Sequence, residues 1–410
     1  MKRIFDPVHH FIELSASEAH LLDTPVLQRL RRLRQLGLAY LAFPSAEHSR
    51  FSHALGALAM GTRVFDALAA RSDIFCTDAR DRAYQRRLLR AALLLHDIGH
   101  GPFSHACEKV LGVMHEQRTR DLLALAQMQA HLADLDVDPV DVLHLIVGDP
   151  STKYAVLAEI VSGPNLDADR MDYLLRDSYF TGVSSGRYDE AQLVASLRVF
   201  SAGQKLTLGI DRRGVVALES FVLARYMMFA SVYFHHTTRM FERILQQLLS
   251  ELWPDPRKLD DIEEFLRWDD FRVLNEMRDK PSEAAHALRE RIRIYALAAE
   301  FNAQRDLDAY GRCEAVLRSH FGDAVWSDEQ SQMLHRLPLQ ADGNARTVLV
   351  DTGGGVLADA REASDLIAKL AGKAYWRKLF VERAKADASE ARALCRAVLT
   401  KGADRRLSGG

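Results

Sequence analysis

LLLHDIGHGPFSH, residues 93–105, is the stretch of this 410-residue chain with the densest chemical signal. Three leucines lead directly into His96 and Asp97, and a Gly/Pro turn then brings His100 and His105 close behind. Burying an adjacent imidazole and carboxylate behind an apolar helix costs free energy unless the two groups are paired or bind a metal ion. By itself, the pattern is more often a His–Asp pair that caps a helix.

Two further segments favour the metal interpretation. RFSH, residues 50–53, opens a helix rich in small residues, and DADRMDY, residues 167–173, places acids at every second or third position. His53 and Asp169, added to the first pair, give two imidazoles and two carboxylates, which suit a divalent ion with open coordination positions. Taken singly, His53 is more often a satisfied core histidine, and the acidic run a solvated helix face.

The bulk composition is that of an ordinary globular protein. Hydrophobic residues make up 48% and charged residues 27% of the chain, and the net charge of −2 gives no support to a nucleic-acid partner. The four cysteines form no CxxC pair, which suits a reducing compartment. We expect no signal peptide and no membrane span, since we find no long apolar run, and therefore a cytoplasmic protein.

Helical periodicity dominates the chain. Between residues 27 and 38, leucines recur every three positions among arginines, and similar patterns continue to about residue 252. Trp253-Pro254-Asp255-Pro256 marks a junction, after which we expect helices at about 259–278, 281–300 and 303–320. The clear strand pair is 347–351 with 356–359. The sequence predicts a mainly α fold with a smaller α+β C-terminal lobe, divided into domains 1–252 and 253–410.

The metal motif has a family context. H…HD…D, together with DPVH (6–9), DTP (23–25), QRLR (28–31) and QLG (35–37), resembles the HD superfamily. The resemblance is to the deoxynucleoside triphosphate (dNTP) triphosphohydrolases of the dGTPase-like and SAM-and-HD-domain type, and runs in order to about residue 240. It implies an HD-domain helical core that hydrolyses dNTPs to deoxynucleoside and inorganic triphosphate. The metal would be Mn²⁺, Fe²⁺, Ni²⁺, Co²⁺ or Mg²⁺.

The resemblance also assigns roles near the metal. It implies His53, His96, Asp97 and Asp169 as ligands. It also implies His115 as general acid, with His100 and His105 near the phosphates and Glu108 orienting the acid. His115 would otherwise be an exposed helix-start histidine, and the segment between His105 and His115 is shorter here than in the animal enzyme.

Substrate-binding residues follow by the same resemblance. Arg50, Arg170 and Arg225 fall where the family holds the phosphates, and guanidinium suits bidentate binding of phosphate oxygens. Arg170 replaces a lysine of the animal enzyme, and each arginine would otherwise be a surface ion-pair residue. The sugar pocket corresponds to Gln35, Leu36, Tyr173, Asp177 and Tyr233, where a tyrosine ring beneath C2′ would exclude a ribose hydroxyl.

The SAM-and-HD-domain branch further implies a homo-oligomer, a dimer or tetramer, with an activating nucleotide bound between subunits. The matching positions here are Lys2, Asp23, Gln28, Arg31, His235 and His236. The alternative is that Asp23 only caps a helix and that Arg31 belongs to a solvated face.

Two other functions remain open at the level of sequence. One is an HD-type phosphatase or phosphodiesterase acting on another nucleotide or a signalling molecule. The other is a nucleotide- or single-strand-binding regulator built on the same scaffold, which would have no need of four metal ligands.

Overall fold

The computed structural model describes residues 1–71, 76, 78–202, 205–302, 306–335, 348–353 and 356–407. At 105, 202, 333–335 and 401–407 only the backbone is described. The helices in these ranges are α1 (Ala16–Leu22), α2 (Pro25–Arg29), α3 (Arg50–Ala69), α4 (Ala79–Leu95), α5 (His105–Leu111), α6 (His115–Leu123), α7 (Ala126–Asp134), α8 (Pro139–Ile146), α9 (Ala155–Ser162), α10 (Ala168–Thr181), α11 (Glu190–Ser196), α12 (Val215–Met228), α13 (His236–Leu252), α14 (Ile262–Leu266), α15 (Asp270–Asp279), α16 (Glu283–Arg289), α17 (Leu307–Phe321), α18 (Ala360–Ala363), α19 (Asp365–Leu370) and α20 (Ala388–Leu407).

The strands form three small sheets. They are β1 (Lys2–Asp6), β2 (His10–Leu14), β3 (Leu197–Ala202), β4 (Lys205–Asp211), β5 (Tyr295–Phe301), β6 (Val325–His335), β7 (Leu349–Asp351), β8 (Leu357–Asp359) and β9 (Gly372–Glu382). β1 and β2 make a hairpin, β3-β4-β7-β8 a second sheet and β5-β9-β6 a third. β7 and β8 match the predicted strand pair. Residue 347 of the first predicted strand and residues 354 and 355 of the connection lie outside the described ranges.

The sequence-based assignment was wrong about the other strands. The helix expected over 281–300 ends at Arg289, and β5 begins at Tyr295. β5 lies against β9, pairing Tyr295 with Glu382, so its partner comes more than eighty residues later in the chain. Because a strand is stabilised by neighbours that are remote in sequence, local periodicity favoured a helix here.

Three helices meet around the predicted metal ligands. α3 begins after Ser49, whose side chain accepts the Ser52 N–H, and α10 begins after Asp167, which accepts the Arg170 N–H. α3 packs closely on its neighbours because it contains glycine. A β-carbon at Gly61 would lie 2.3 Å from a methyl carbon of Leu93 in α4. Small residues therefore bring the three helices within side-chain reach of one another.

The fold is mainly α, with a smaller α+β part toward the C-terminus, as predicted. The division at residue 252 stays a prediction, since contacts cross it. β7 pairs in parallel with β4, and buried Arg29 donates two hydrogen bonds to the Trp268 carbonyl at 3.0 and 2.8 Å.

Among the described residues, one helical run, 212–233, is long and apolar enough by length and composition to cross a membrane. Of its most apolar window, 44% is buried within the protein, and core helices pass the same test. The run includes Arg225, whose side chain belongs to the site described below.

Candidate metal centre

Three of the four predicted ligands converge from three helices. His53 of α3, His96 at the end of α4 and Asp169 of α10 each place a ligand atom within 4.8 Å of the others. The Nε2 atom of His53 lies 3.1 Å from the Nε2 atom of His96 and 3.0 Å from Oδ1 of Asp169. These atoms come from residues 43 to 116 positions apart, so the fold has assembled the cluster.

Asp97 completes the set. Its Oδ1 lies 3.5 Å from Nε2 of His96, and its Oδ2 lies 3.8 Å from Nε2 of His53. Asp97 also accepts a hydrogen bond of 2.5 Å from Arg50, a buried residue that begins α3. Asp97 therefore lies beside the point on which His53, His96 and Asp169 converge.

The Nδ1 atoms of His53 and His96, which face away from the cluster, already have hydrogen-bond partners. Nδ1 of His53 lies 2.7 Å from Oδ2 of Asp172, and Nδ1 of His96 lies 2.8 Å from the Leu93 carbonyl. Both partners accept, so each Nδ1 carries a proton and Nε2 is the ring atom that faces the cluster. Two imidazole nitrogens and the Asp169 carboxylate at one point, with the Asp97 carboxylate beside them, fit a divalent metal ion.

The electrostatics agree with that fit. Burial would raise the pKa of Asp97, but Arg50 and His96 hold it well below its usual value. Burial likewise opposes ionisation of Asp169, yet hydrogen bonds with His53 and His96 lower its pKa. Burial would lower the pKa of His53, but Asp169 and Asp172 raise it to about 10. Asp97 and Asp169 thus stay ionised, and a bound cation would take the place of the proton on His53.

A second group of titratable side chains, formed by His100, Glu108 and His115, lies beside the metal cluster. His100 Nε2 is 3.3 Å from Oδ1 of Asp97, and its Nδ1 is 3.3 Å from Oε1 of Glu108. His115 at the start of α6 places Nδ1 2.8 Å from the same Glu108 oxygen and stacks on His100 with ring centroids 3.9 Å apart. Burial, Arg50 and His115 lower the pKa of His100 to about 4. The side chain of His105 lies outside the described part of the chain.

The three predicted phosphate-binding arginines occupy different settings. Arg50 donates to Asp97 and also to the Ser104 hydroxyl, at 2.9 and 2.7 Å. Arg170 pairs with Asp167 and donates to the Gly163 carbonyl at 2.5 Å.

Arg225 is almost fully buried, and burial together with the neighbouring Arg170 lowers its pKa. Tyr173 bonds to Arg225, and Asp167 lies near it. Arg225 is buried and Arg170 is half-buried, and Asp167 is the carboxylate that lies near both.

The predicted sugar pocket is partly assembled. The rings of Tyr173 and Tyr233 meet edge to face, with centroids 6.0 Å apart, and the Tyr233 hydroxyl donates to Asp177 at 2.8 Å. Leu36 packs against the main core near the start of the chain's first long loop. The Oε1 atom of Gln35 is buried and has no hydrogen-bond partner among the described residues.

The residues predicted to bind an effector lie in two places. Lys2 forms an exposed ion pair with Asp23 at 3.2 Å, and Arg31 donates to Gln28 at 2.8 Å while lying over the Phe51 ring. Asp23 follows the last residue of α1, and the side chain that caps the start of α2 is that of Thr24. The other two residues, His235 and His236, begin α13 with ring centroids 4.4 Å apart.

Sequence reasoning missed several residues of the site. His48 is buried, lies 2.7 Å from Asp177 and stacks on Phe180 with centroids 4.6 Å apart. Its Nδ1 atom has no hydrogen-bond partner in the described structure. Asp172 was also missed as a partner of His53, although its position three residues after Asp169 puts both on one face of α10.

A cavity of about 600 Å³ lies outside this cluster. It opens between the β1–β2 hairpin and helices α3 and α4, and it is bordered by His9, Phe11, Arg63 and Arg86 among others. His9 separates it from the metal cluster, since the other edge of that ring contacts Asp172.

The helices, the H…HD…D ligands and the buried arginines define the class as an HD-type protein. Residues 188–302 match the family model described as the HD associated region. The chain belongs to the HD superfamily, in its dNTP-triphosphohydrolase-like branch.

Similar proteins agree with this placement. A structure of a hypothetical protein from Aquifex aeolicus has a TM-score of 0.80 and 30% identity, covering 96% of this chain and 99% of that one. A phosphohydrolase from Bacteroides thetaiotaomicron has a TM-score of 0.71 and 25% identity, covering 93% and 99%.

Curated sequences match over shorter spans. The uncharacterized protein YwfO of Bacillus subtilis is 38% identical over 60% of this chain and 54% of its own length. Human deoxynucleoside triphosphate triphosphohydrolase SAMHD1 is 29% identical over 51% of this chain and 38% of its own length. The chain spans about half the length of curated relatives that it matches, such as YwfO at 54%.

Proposed function

We propose that this protein is a metal-dependent phosphohydrolase that converts dNTPs to deoxynucleoside and inorganic triphosphate. The observation that supports the proposal most directly is the convergence of His53, His96, Asp97 and Asp169 beside buried arginines. The relatives support the general class, since one is a phosphohydrolase and another a dNTP triphosphohydrolase. The metal would be Mn²⁺, Fe²⁺, Ni²⁺, Co²⁺ or Mg²⁺.

His53, His96, Asp97 and Asp169 would hold the ion. When bound, a divalent ion polarises a phosphoryl oxygen and lowers the pKa of an attacking water. The protein's own contribution is positional. Arg50, Arg170 and Arg225 would hold the polyphosphate, and their present partners are carboxylates, a hydroxyl and a carbonyl that a phosphate can replace. Charge-assisted bonds from guanidinium groups then fix the phosphate chain in line for displacement.

The leaving group also needs a proton. The 5′-oxygen of the sugar is a poor leaving group, and His115 would protonate it from Nε2 while Glu108 holds its Nδ1 at 2.8 Å. Glu108 accepts at Nδ1, which orients the ring and stabilises the protonated imidazole. His100 stays neutral because its pKa is lowered to about 4, so it would accept or donate a hydrogen bond without adding charge. His105 would lie near the phosphates.

Selection of deoxyribose over ribose would come from the predicted sugar pocket. Tyr173 would pack beneath C2′, where a ribose hydroxyl has no room, and Leu36 and Tyr233 would complete the wall. The buried, unpartnered Oε1 of Gln35 can accept a hydrogen bond from the 3′-hydroxyl, and Asp177 is a second acceptor. A substrate that lacks the matching donor would leave the buried oxygen of Gln35 unsatisfied, which is costly.

Product analysis tests the proposal. The metal-free protein is incubated with each of the four dNTPs and with GTP, in the presence of one divalent metal at a time. Nucleoside and triphosphate in equal amounts are expected from dNTPs, with little product from GTP. Orthophosphate or a nucleoside monophosphate would instead support an HD phosphatase or phosphodiesterase. Binding without turnover under any metal would support a nucleotide- or single-strand-binding regulator.

The proposal extends to assembly and location. A homo-oligomer, dimer or tetramer, would place Lys2, Asp23, Gln28 and Arg31 of one subunit near His235 and His236 of another, with an activating nucleotide between them. Asp23 would accept from a guanine edge, and Arg31 would donate to its carbonyl. A dNTP-hydrolysing enzyme with four buried free cysteines is also suited to the reducing cytoplasm.

A further inference from the structure

The DPVH motif at residues 6–9 has no part in the proposed reaction, yet it reaches the metal cluster. We propose that the turn between β1 and β2 is an outer shell of the metal centre. In this shell His9 is a positioning residue that fixes the ligand His53 through Asp172. The inference rests on the proposed metal site and adds a determinant of metal affinity to it.

Asp172 connects the two histidines directly. Its Oδ2 lies 2.7 Å from Nδ1 of His53, and its Oδ1 lies 2.5 Å from Nε2 of His9. The side chains of His9, His53 and Asp172 are 1% exposed or less. A metal-binding imidazole is commonly oriented by a carboxylate on its other nitrogen, which also raises its basicity. Asp172 occupies that position for His53.

Arg63 sets the proton positions along the series of hydrogen bonds that runs from Arg63 through His9 and Asp172 to His53. Arg63 lies 2.7 Å from Nδ1 of His9 through its Nη2. A guanidinium can only donate, so Nδ1 of His9 accepts and Nε2 carries the proton that is donated to Asp172. The carboxylate, in turn, can only accept from His53. Every hydrogen bond from Arg63 to His53 therefore has one allowed direction, which holds a proton on Nδ1 of His53 and leaves Nε2 as the atom that would bind the metal.

The turn is built so that His9 reaches this place. Oδ1 of Asp6 accepts the N–H groups of Val8 and His9 at 3.0 and 2.9 Å, which shapes the turn. Arg176 bridges the turn to α10, donating to Asp6 at 2.8 Å and to Asp172 at 2.9 Å. The local charge is two carboxylates against one guanidinium. Arg176 bonds to both oxygens of Asp172, which receives its other two hydrogen bonds from His53 and His9.

Loss of that donor would loosen the ligand. Without His9, Oδ1 of the fully buried Asp172 keeps only the longer bond from Arg176, at 3.0 Å. The carboxylate can then shift toward Arg176 and away from His53. Removing such an outer partner typically weakens metal binding about 10–100-fold. His9 also borders the 600 Å³ cavity, so a smaller side chain there meets open space and need not collapse the core.

The test is titration of Mn²⁺ into the metal-free full-length protein by calorimetry. His9→Asn shortens the side chain so that it no longer reaches Asp172, and Mn²⁺ binding is expected to weaken about 10–100-fold. His9→Gln carries the same amide one methylene further out, near the position of Nε2, and should recover most of the affinity. His10→Asn makes the same substitution at the exposed neighbour, whose left-handed backbone asparagine tolerates, and should leave affinity unchanged.

The outcomes distinguish a His9 that orients the ligand His53 from a His9 that only stabilises the hairpin. Thermal unfolding of the metal-free variants reports the contribution of His9 to stability alone. Wild-type Mn²⁺ affinity in a destabilised His9→Asn variant would show that His9 only ties down the hairpin, which overturns the proposal. If His9→Asn does not fold, Arg63→Leu removes the hydrogen-bond donor to His9 instead. Unchanged Mn²⁺ affinity in Arg63→Leu would also overturn the proposal. A wild type that binds no Mn²⁺ would refute the metal site itself.

Discussion

The Nε2 atoms of His53 and His96 face each other at 3.1 Å, while the Nδ1 atom of each ring is already bonded to another group. Two lone pairs at this distance repel unless a proton or a metal ion lies between them. Asp169 stands 3.0 Å from the first of these nitrogens, so a divalent cation would satisfy all three groups at once. The two Nε2 atoms face each other because Asp172 and the Leu93 carbonyl hold the Nδ1 atoms of His53 and His96.

The double variant His96→Ala, Asp97→Asn should therefore be inactive and free of metal by elemental analysis. Its stability should fall by what the bound ion contributes, about 2.7 kcal/mol when the metal is at one hundred times its dissociation constant. The same two changes in α7, His131→Ala with Asp134→Asn, are the control and should leave metal content unchanged. Full metal content in the first variant would disprove the ligand assignment.

Tyr173→Ala should narrow the preference for deoxyribonucleotides by about tenfold or more, because removing the ring opens the space beneath C2′. The measurement is kcat/KM for dGTP and GTP with each protein. Tyr179→Ala removes an exposed tyrosine from the same helix and should leave the ratio as in the wild type. A wild type that already hydrolyses both nucleotides equally would refute the deoxyribose pocket.

Gly56→Ala should destabilise the protein by about 1–3 kcal/mol, the usual effect of overpacking a core. A β-carbon at Gly56 would lie 2.0 Å from Oδ1 of Asp172 and 2.1 Å from Nη2 of Arg176. Gly311→Ala, in a helix with nothing within 4 Å of the added carbon, should be neutral or slightly stabilising. Denaturant unfolding of both variants measures the difference. Equal stability would mean that the network beside Gly56 yields without cost.

Asp270 should make stability depend on pH. Burial raises the pKa of Asp270 to about 6, against the bonds from the Arg34 and Phe103 N–H groups. Between pH 4 and 6 the folded state then holds a proton that the unfolded state has lost, so stability falls as pH rises through this window. Relative to Asp270→Asn, the wild type should lose about 3 kcal/mol from pH 4 to 6 and nothing further above it. A difference that is flat with pH would contradict this.

Nucleotide activation should appear as a change in dATP hydrolysis when a sub-stoichiometric amount of GTP or dGTP is added. A coupling of about 1–3 kcal/mol corresponds to roughly 5–150-fold tighter substrate binding. Arg31→Ala should abolish the effect, whereas Arg3→Ala, which removes an exposed partner of Glu13 on the hairpin, should not. Light scattering on the same samples reports assembly. Hyperbolic, unchanged kinetics on a constant monomer would contradict the effector site and leave Asp23 as an exposed partner of Lys2.

Much of the site could be predicted from the chain because its chemistry is local in sequence. An apolar helix ending in His96-Asp97 must find partners for two buried polar groups, and the acids of 167–173 follow a capping position. The sequence therefore indicates that imidazoles and carboxylates are the ligands, although it does not show how the helices are arranged. Periodicity likewise predicted the mainly α character, since each helix is stabilised largely by bonds within itself.

What only the tertiary structure decided are the relationships between distant segments. β5 became a strand because β9 lies beside it, and no local pattern carries that information. His9 and Asp172 are 163 residues apart, yet their side chains meet at 2.5 Å. The sequence by itself determined which groups need a partner when they are buried. The packing of α3, α4, α10 and the hairpin determined which partner each received, because a hydrogen bond depends on distances of a few ångströms that only the folded chain sets.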